Sequence, residues 1–137
     1  MKRIMLLIFA AILCIVTGCS VSGQNTGSID TAKSYTQISQ EEAKEMMAKD
    51  DGHIVVDVRR QDEYDAGHIL GAILIPNESI GTEQPEELPD LDQIILIYCR
   101  SGNRSKQAAQ KLCNMGYTNI YEFGGINTWT AKIVTEG

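Results

Sequence analysis

The feature that most constrains the fold is an apolar run at 93–98, QIILIY, which ends in Cys99 and leads straight into a helical pattern. A short β-branched run of this kind is typical of a strand that is buried on both faces of a sheet. The segment after it places Ala108 and Leu112 on one side of a helix that ends near Gly116. A buried strand followed at once by an amphipathic helix predicts an α/β domain.

The rest of the chain repeats this alternation. Further short strands are predicted at 53–59, 72–76 and 119–123. A helix is expected within 39–52, because Ser39 and Glu42 form a capping box, and 61–68 favours a turn of helix. Strands that alternate with helices predict a mostly parallel sheet with helices on both faces. Such sheets bind ligands beyond the carboxyl ends of their strands, where Cys99 lies.

The N-terminus has a different character. Lys2 and Arg3 precede an uncharged apolar stretch at 4–16, which is too short to span a bilayer core of about 30 Å. A basic region followed by a short apolar region is typical of a secretory signal. The sequence therefore predicts export from the cytoplasm.

The export signal ends in Val16-Thr17-Gly18-Cys19, which resembles the lipobox of bacterial lipoproteins. The resemblance implies a signal peptide at 1–18 and a lipid on Cys19. The small, polar composition of 20–34 predicts a flexible, lipid-anchored tether at 19–34, and the pattern changes at Tyr35, where a folded domain at 35–137 is expected to begin. We expect the protein on a bacterial membrane, lipid-anchored and facing outside the cytoplasm. Cleavage by an ordinary signal peptidase, which would release a soluble protein, is the alternative.

Composition and cysteine spacing argue against nucleic-acid binding, a structural zinc site and a disulfide in the domain. A net charge of −6 without a basic stripe gives no support for nucleic-acid binding. The absence of CxxC motifs and Cys/His clusters argues against a structural zinc site, and no cofactor is expected. In the domain, Cys99 and Cys113 are separated by loop and helix, so a disulfide between them is not expected.

The segment CRSGNRS at 99–105 has three features that favour a thiolate on Cys99. Gly102 allows the loop N–H groups to turn inward, and the following helix begins with unsatisfied N–H groups. Arg100 and Arg104 add positive charge. The same features bind an incoming anion, so the segment predicts a nucleophile inside an anion cradle.

The spacing between the cysteine and the arginine distinguishes this loop from the active-site loop of cysteine phosphatases. Cysteine phosphatases place five residues between the cysteine and the arginine, whereas four lie between Cys99 and Arg104. A shorter loop makes a smaller cradle, better suited to one extra sulfur than to a phosphoryl group. A phosphatase-like or arsenate-reducing enzyme stays open as a disfavoured alternative.

Three stretches together resemble the single-domain rhodanese (thiosulfate sulfurtransferase-like) family. The first, VVDVRRQDEYDAGHILGAILIP, has a strand, Asp-Val-Arg and Gly-His-Ile. The second is the loop IYCRSGNRS, and the third is KLCNMGYTNIYEFGGINTW with its Gly-Gly pair. The resemblance covers about residues 35–132 in the family's order and implies a rhodanese-like fold.

The resemblance implies transfer of sulfane sulfur from thiosulfate or a similar anionic donor to a thiol or cyanide. Cys99 would be the nucleophile and would carry a persulfide, and the protein is expected to act as a monomer. Arg100 and Arg104 would bind the donor, while the loop amides would come from Ser101, Gly102 and Asn103. The alternative to an enzyme is a binding module that holds or relays persulfide without turnover of its own. Structural roles, rather than catalytic ones, are expected for Asp57, Arg59 and His68.

Overall fold

The computed structural model describes residues 33–135. The predictions for a signal peptide at 1–18, for lipid on Cys19 and for most of the tether at 19–34 fall outside this range. Among the described residues, no helix has both the length and the apolar character needed to cross a membrane.

Seven strands and three α-helices make up the described part of the chain. The strands are β1 (Thr36–Gln37), β2 (Ile54–Asp57), β3 (His68–Ile69), β4 (Ala72–Leu74), β5 (Ile94–Cys99), β6 (Asn119–Gly125) and β7 (Ile133–Val134). The helices are α1 (Gln40–Met47), α2 (Gln61–Ala66) and α3 (Asn103–Met115). Each predicted helix and strand is present, and the sequence did not indicate the two-residue strands β1, β3 and β7.

Five strands form one parallel sheet in the order β1-β6-β5-β2-β4. The apolar strand β5 is the middle one, as its composition indicates. A separate antiparallel pair joins β3 to β7. This topology confirms the predicted α/β class with a mostly parallel sheet.

The alternation of side chains along β5 divides the core in two. Ile95, Ile97 and Cys99 belong to the cluster that contains the buried face of α3. Leu96 and Tyr98 belong to the opposite cluster, which contains Ala43 of α1 and Phe123 of β6. Because successive side chains of a strand point to opposite faces, helices cover both faces of the sheet, as predicted. Cys99 is therefore on the α3 side.

The start of α1 and the end of α3 have the capping residues that the sequence predicts. The Ser39 N–H donates to Glu42 Oε2 at 2.8 Å, and the Glu42 N–H donates to Ser39 Oγ at 3.1 Å, which is a capping box at the start of α1. At the end of α3, Gly116 has φ of 113°, a left-handed conformation that glycine adopts without strain.

Candidate active site

Cys99 is the last residue of β5 and lies at the carboxyl end of the sheet's central strand. Its side chain is almost fully buried, with 1% of the residue exposed. The next residues turn back toward it, and the Gly102 N–H donates to Cys99 Sγ at 3.0 Å. Gly102 has φ of 101° and precedes the first residue of α3. The loop therefore directs a backbone donor at the sulfur, as its glycine predicts.

The environment of Cys99 favours the thiolate. Burial raises the pKa of the thiol, but hydrogen bonding from Ser105, Gly102 and Ser101 outweighs burial and brings the pKa below its ordinary value. The Ser105 hydroxyl contributes most to this lowering of the pKa, and the backbone N–H groups of Ser105, Gly102 and Ser101 add to it. Because the thiolate is the reactive form of cysteine, the loop favours the form of Cys99 that can react.

Gly125 supports the loop from behind. A Cβ at this position would overlap the Arg100 carbonyl oxygen and lie 2.7 Å from Ser101 Cα. The Asn127 N–H donates to the Arg100 carbonyl oxygen at 3.3 Å, and Gln40 Nε2 donates to the Gly125 carbonyl oxygen at 2.8 Å. The loop backbone thus packs directly on the backbone of β6, which only a residue without a side chain permits.

The Arg104 guanidinium is engaged by a carboxylate that the sequence analysis did not single out. Its Nη1 and Nη2 atoms donate to the two carboxylate oxygens of Glu63, in α2, at 2.7 and 2.8 Å. This pair lowers the pKa of Glu63 to about 2. Two parallel hydrogen bonds fix the orientation of the guanidinium. Arg104 is therefore held in place by Glu63 rather than free to reorient.

The other predicted loop residues differ in exposure. Arg100, Ser101 and Asn103 are exposed, whereas Gly102 is buried. Within residues 33–135 the Arg100 side chain makes no ion pair. The N–H group of Asn103 is not among the donors that stabilise the Cys99 thiolate. The structure thus brings the Ser101 and Gly102 amides to the sulfur and leaves Arg100 at the rim.

Ser105 and Glu122 form a second buried layer beneath the loop. Ser105 is fully buried, and its Oγ donates to Glu122 Oε1 at 2.6 Å. The Gly124 N–H donates to the same carboxylate oxygen at 2.9 Å. Sequence reasoning missed these contacts, because neither residue stands out by type or spacing.

The buried polar residues that the sequence placed in supporting roles form a separate network. Arg59 Nη2 donates to Asp57 Oδ2 at 2.6 Å and to the Gly67 carbonyl oxygen at 2.7 Å. The Tyr98 hydroxyl also donates to Asp57 Oδ2 at 2.6 Å. His68 stacks on the Tyr64 ring with 3.6 Å between ring centroids. These groups are satisfied by one another.

Cys113 contrasts with Cys99. It is buried on the apolar face of α3, and burial raises the pKa of its thiol. Both cysteines of the described region are free thiols. The two thiols are equally buried but their pKa values shift in opposite directions, so Cys113 provides an internal comparison for Cys99.

Comparisons with known proteins agree with this geometry. The family model described as a rhodanese-like domain matches residues 39–132. The thiosulfate sulfurtransferase GlpE of Coxiella burnetii is 36% identical over 98 residues, which span 71% of this chain and 89% of that protein. Among solved structures, a rhodanese-related protein from Thermoplasma volcanium has a TM-score of 0.63 at 27% identity, covering 74% of this chain and all of that one.

A rhodanese with anions from E. coli has a TM-score of 0.57 at 31% identity, covering 61% of this chain and 99% of that chain. The residues that the family model matches contain four of the five strands of the parallel sheet, β2, β4, β5 and β6, and the loop that follows Cys99. The chain therefore belongs to the rhodanese-like domain family and is an enzyme of the rhodanese, sulfurtransferase type.

Proposed function

We propose that the protein transfers sulfane sulfur from thiosulfate, or a similar anionic donor, to a thiol or cyanide through a persulfide on Cys99. The observation that carries this proposal is the direct contact of 3.0 Å between the Gly102 N–H and Cys99 Sγ, in a loop that lowers the pKa of the thiol. Formation of a persulfide moves the negative charge from Cys99 Sγ to the outer sulfur. N–H donors that surround the thiolate can stabilise this charge as well.

In the first half-reaction the Cys99 thiolate attacks the outer sulfur of thiosulfate. A bond forms between Cys99 Sγ and that sulfur, and the sulfur–sulfur bond of thiosulfate breaks. Sulfite leaves with the electron pair, and Cys99 carries a persulfide anion. The charge of the persulfide is then stabilised by the loop amides that stabilised the thiolate.

In the second half-reaction an acceptor thiolate attacks the outer sulfur of the persulfide. The acceptor gains the sulfur, and the bond to Cys99 Sγ breaks so that its electron pair returns to Cys99 as a thiolate. With cyanide the product is thiocyanate. Two covalent half-reactions that share one enzyme form predict ping-pong kinetics, and neither requires a cofactor.

The charges near the loop suit a small anion. Arg104 is paired with Glu63, so this pair adds little net charge at the site. Arg100 is exposed and has no ion-pair partner within the described residues. We infer that Arg100 attracts the donor anion at the rim and that Arg104, held by Glu63, provides an ordered guanidinium beside the sulfur. Support for thiosulfate as the donor comes from the thiosulfate sulfurtransferases among the relatives.

The test compares steady-state thiocyanate formation from thiosulfate and cyanide in the full chain with Cys99→Ser and Cys113→Ser. Cys99→Ser should abolish turnover, and Cys113→Ser should retain it, because Cys113 lies on the apolar helix face. Parallel lines in double-reciprocal plots would support the covalent cycle. Activity that survives Cys99→Ser would overturn it, and an inactive native protein that still accepts sulfur would favour the relay module.

We further propose that the protein acts as a monomer tethered to a bacterial membrane, outside the cytoplasm, by lipid on Cys19. Support comes from the lipobox-like Val16-Thr17-Gly18-Cys19 after the apolar stretch. In bacteria fed a fatty acid with a clickable tag, the native chain and Cys14→Ser should carry the label, and Cys19→Ser should lose it. Label that remains on Cys19→Ser would contradict the anchor.

A further inference from the structure

The turn at 125–128 packs against the back of the Cys99 loop, and the sulfur-transfer cycle does not use it. It begins with Gly125, the last residue of β6, and continues as a short 3₁₀ helix. A Cβ on Gly125 would overlap the Arg100 carbonyl oxygen and lie 2.7 Å from Ser101 Cα, so the two backbones are in direct contact. The position of the turn therefore limits how far the loop can recede from the sulfur.

The turn also holds the loop by a hydrogen bond. The Asn127 N–H donates to the Arg100 carbonyl oxygen at 3.3 Å. Because a trans peptide directs its N–H opposite to its carbonyl oxygen, this bond turns the Ser101 N–H away from β6. Only Ser101 separates the supported carbonyl from the Gly102 N–H, which donates to Cys99 Sγ at 3.0 Å. Both N–H groups lower the pKa of the thiol, so the turn holds the peptide groups that stabilise the thiolate.

Gln40, the first residue of α1, connects the turn to the helix on the other side of the sheet from α3. Its Nε2 atom donates to the Gly125 carbonyl oxygen at 2.8 Å and to Thr128 Oγ1 at 2.9 Å. The Thr128 hydroxyl donates in its turn to the Gly125 carbonyl oxygen at 3.3 Å. A side-chain amide nitrogen has two protons, and Gln40 uses them for the two ends of the turn.

We propose that Gln40 is a positioning residue that holds the turn at 125–128 against the Cys99 loop and so keeps the loop N–H groups directed at the sulfur. The inference rests on the proposed role of Cys99 as the nucleophile. It gives α1, which supplies none of the loop residues, a share in the control of the thiol.

Charged side chains close to the Cys99 loop come from α2, from the segment after β4, from the loop and α3, and from β6. They are Glu63, Glu78, Arg100, Arg104, Lys106 and Glu122. Gln40→Met removes both donated hydrogen bonds and leaves each of these charges in place. A change in the titration of Cys99 would therefore report the geometry of the loop and not an altered charge.

The test is the pH dependence of Cys99 alkylation by iodoacetamide in the full chain, read from the mass of the Cys99 peptide. Gln40→Met should raise the midpoint by about half to one pH unit, because the thiolate accepts weaker hydrogen bonds. Well below the midpoint the rate should fall about 3- to 10-fold. At high pH, where the thiol is fully ionised, the rate should not fall, whereas a folding defect would change the rate at every pH.

Gln110→Met is the matched control. Gln110 Nε2 also donates to a backbone carbonyl oxygen and to a side-chain oxygen, those of Lys33 at 3.2 Å and of Asn114 at 3.0 Å. These residues lie outside the turn and the Cys99 loop, so Gln110→Met should leave the midpoint unchanged. Thermal unfolding shows whether each variant is folded. An unchanged midpoint in folded Gln40→Met, or an equal shift in both variants, would overturn the proposal.

Thr128→Val tests the same link from the other end of the turn. It removes the hydroxyl that accepts from Gln40 Nε2 and donates to the Gly125 carbonyl oxygen, so it should also raise the midpoint. Because both side chains act on one turn, the double variant should shift the midpoint by less than the sum. Shifts that add in full would contradict a shared link. Alkylation reads the thiol itself, so failure of thiosulfate as the donor would leave this result unaffected.

Discussion

Gly125→Ala is expected to disable the site by displacing the Cys99 loop. The new Cβ would overlap the Arg100 carbonyl oxygen and lie 2.7 Å from Ser101 Cα. Carbon atoms in ordinary contact are about 3.5–4.0 Å apart, so the loop has to recede by about 1 Å. The 3.0 Å contact between the Gly102 N–H and Cys99 Sγ would then lengthen to about 4 Å and lose its strength.

The magnitude follows from the lost hydrogen bond. A hydrogen bond to a charged group contributes about 1.5–3 kcal/mol, so its loss should lower kcat/KM for thiosulfate roughly 10- to 100-fold. Thiocyanate formation measures this effect, and thermal unfolding shows whether the fold survives. Gly81→Ala is the matched control, because a Cβ there meets nothing within 4 Å. Native activity in folded Gly125→Ala would show that the contact between the Gly102 N–H and Cys99 Sγ is not needed for the reaction.

Further predictions concern the ion pairs. Glu63→Gln keeps a hydrogen-bond acceptor for Arg104 but removes a negative charge near the loop. KM for thiosulfate should therefore fall at low salt and return to the native value at high salt, where charges are screened. An unchanged KM at low salt would show that the Glu63 charge does not affect binding of the donor. Because the pKa of Glu63 is depressed to about 2, its contribution to stability is complete above its unfolded pKa and is lost as pH falls through 2. The unfolding free energy of the native protein should therefore approach that of Glu63→Gln between about pH 5 and pH 2, and a gap that stays constant would be inconsistent with the pair. Asp57→Asn leaves the buried Arg59 guanidinium without its carboxylate, and urea unfolding should show a loss of about 3–5 kcal/mol. A loss well below that range would mean that water or another group replaces the carboxylate.

Elements whose signal is local could be predicted from the sequence. The run at 93–98 is apolar on both faces, which identifies a central strand, and the Ser39 capping box marks the start of α1. The two-residue strand β1 carries no such signal, because its two residues are exposed and it is defined only by its pairing with β6. Local composition thus predicts the sheet centre and not its edge.

The candidate site likewise combines local features, which the sequence predicts, with contacts between distant residues, which it does not. Cys99 and Gly102 were predictable, because a thiol and a glycine at a strand–helix junction form a complete local arrangement. Glu63 is 41 residues from Arg104, and Glu122 is 17 residues from Ser105. Contacts over such distances depend on how the elements pack, and neither glutamate has a distinctive spacing. The carboxylates that orient the site therefore emerge only from the three-dimensional structure.

The most direct test of a persulfide on Cys99 is the mass of the full chain after incubation with thiosulfate, measured in parallel for Cys99→Ser and Cys113→Ser. A persulfide on Cys99 should add one sulfur, about 32 Da, to the native protein and to Cys113→Ser. Cyanide should remove this sulfur, and Cys99→Ser should not acquire it. A folded native protein that gains no sulfur, or a gain that persists in Cys99→Ser, would contradict a persulfide on Cys99.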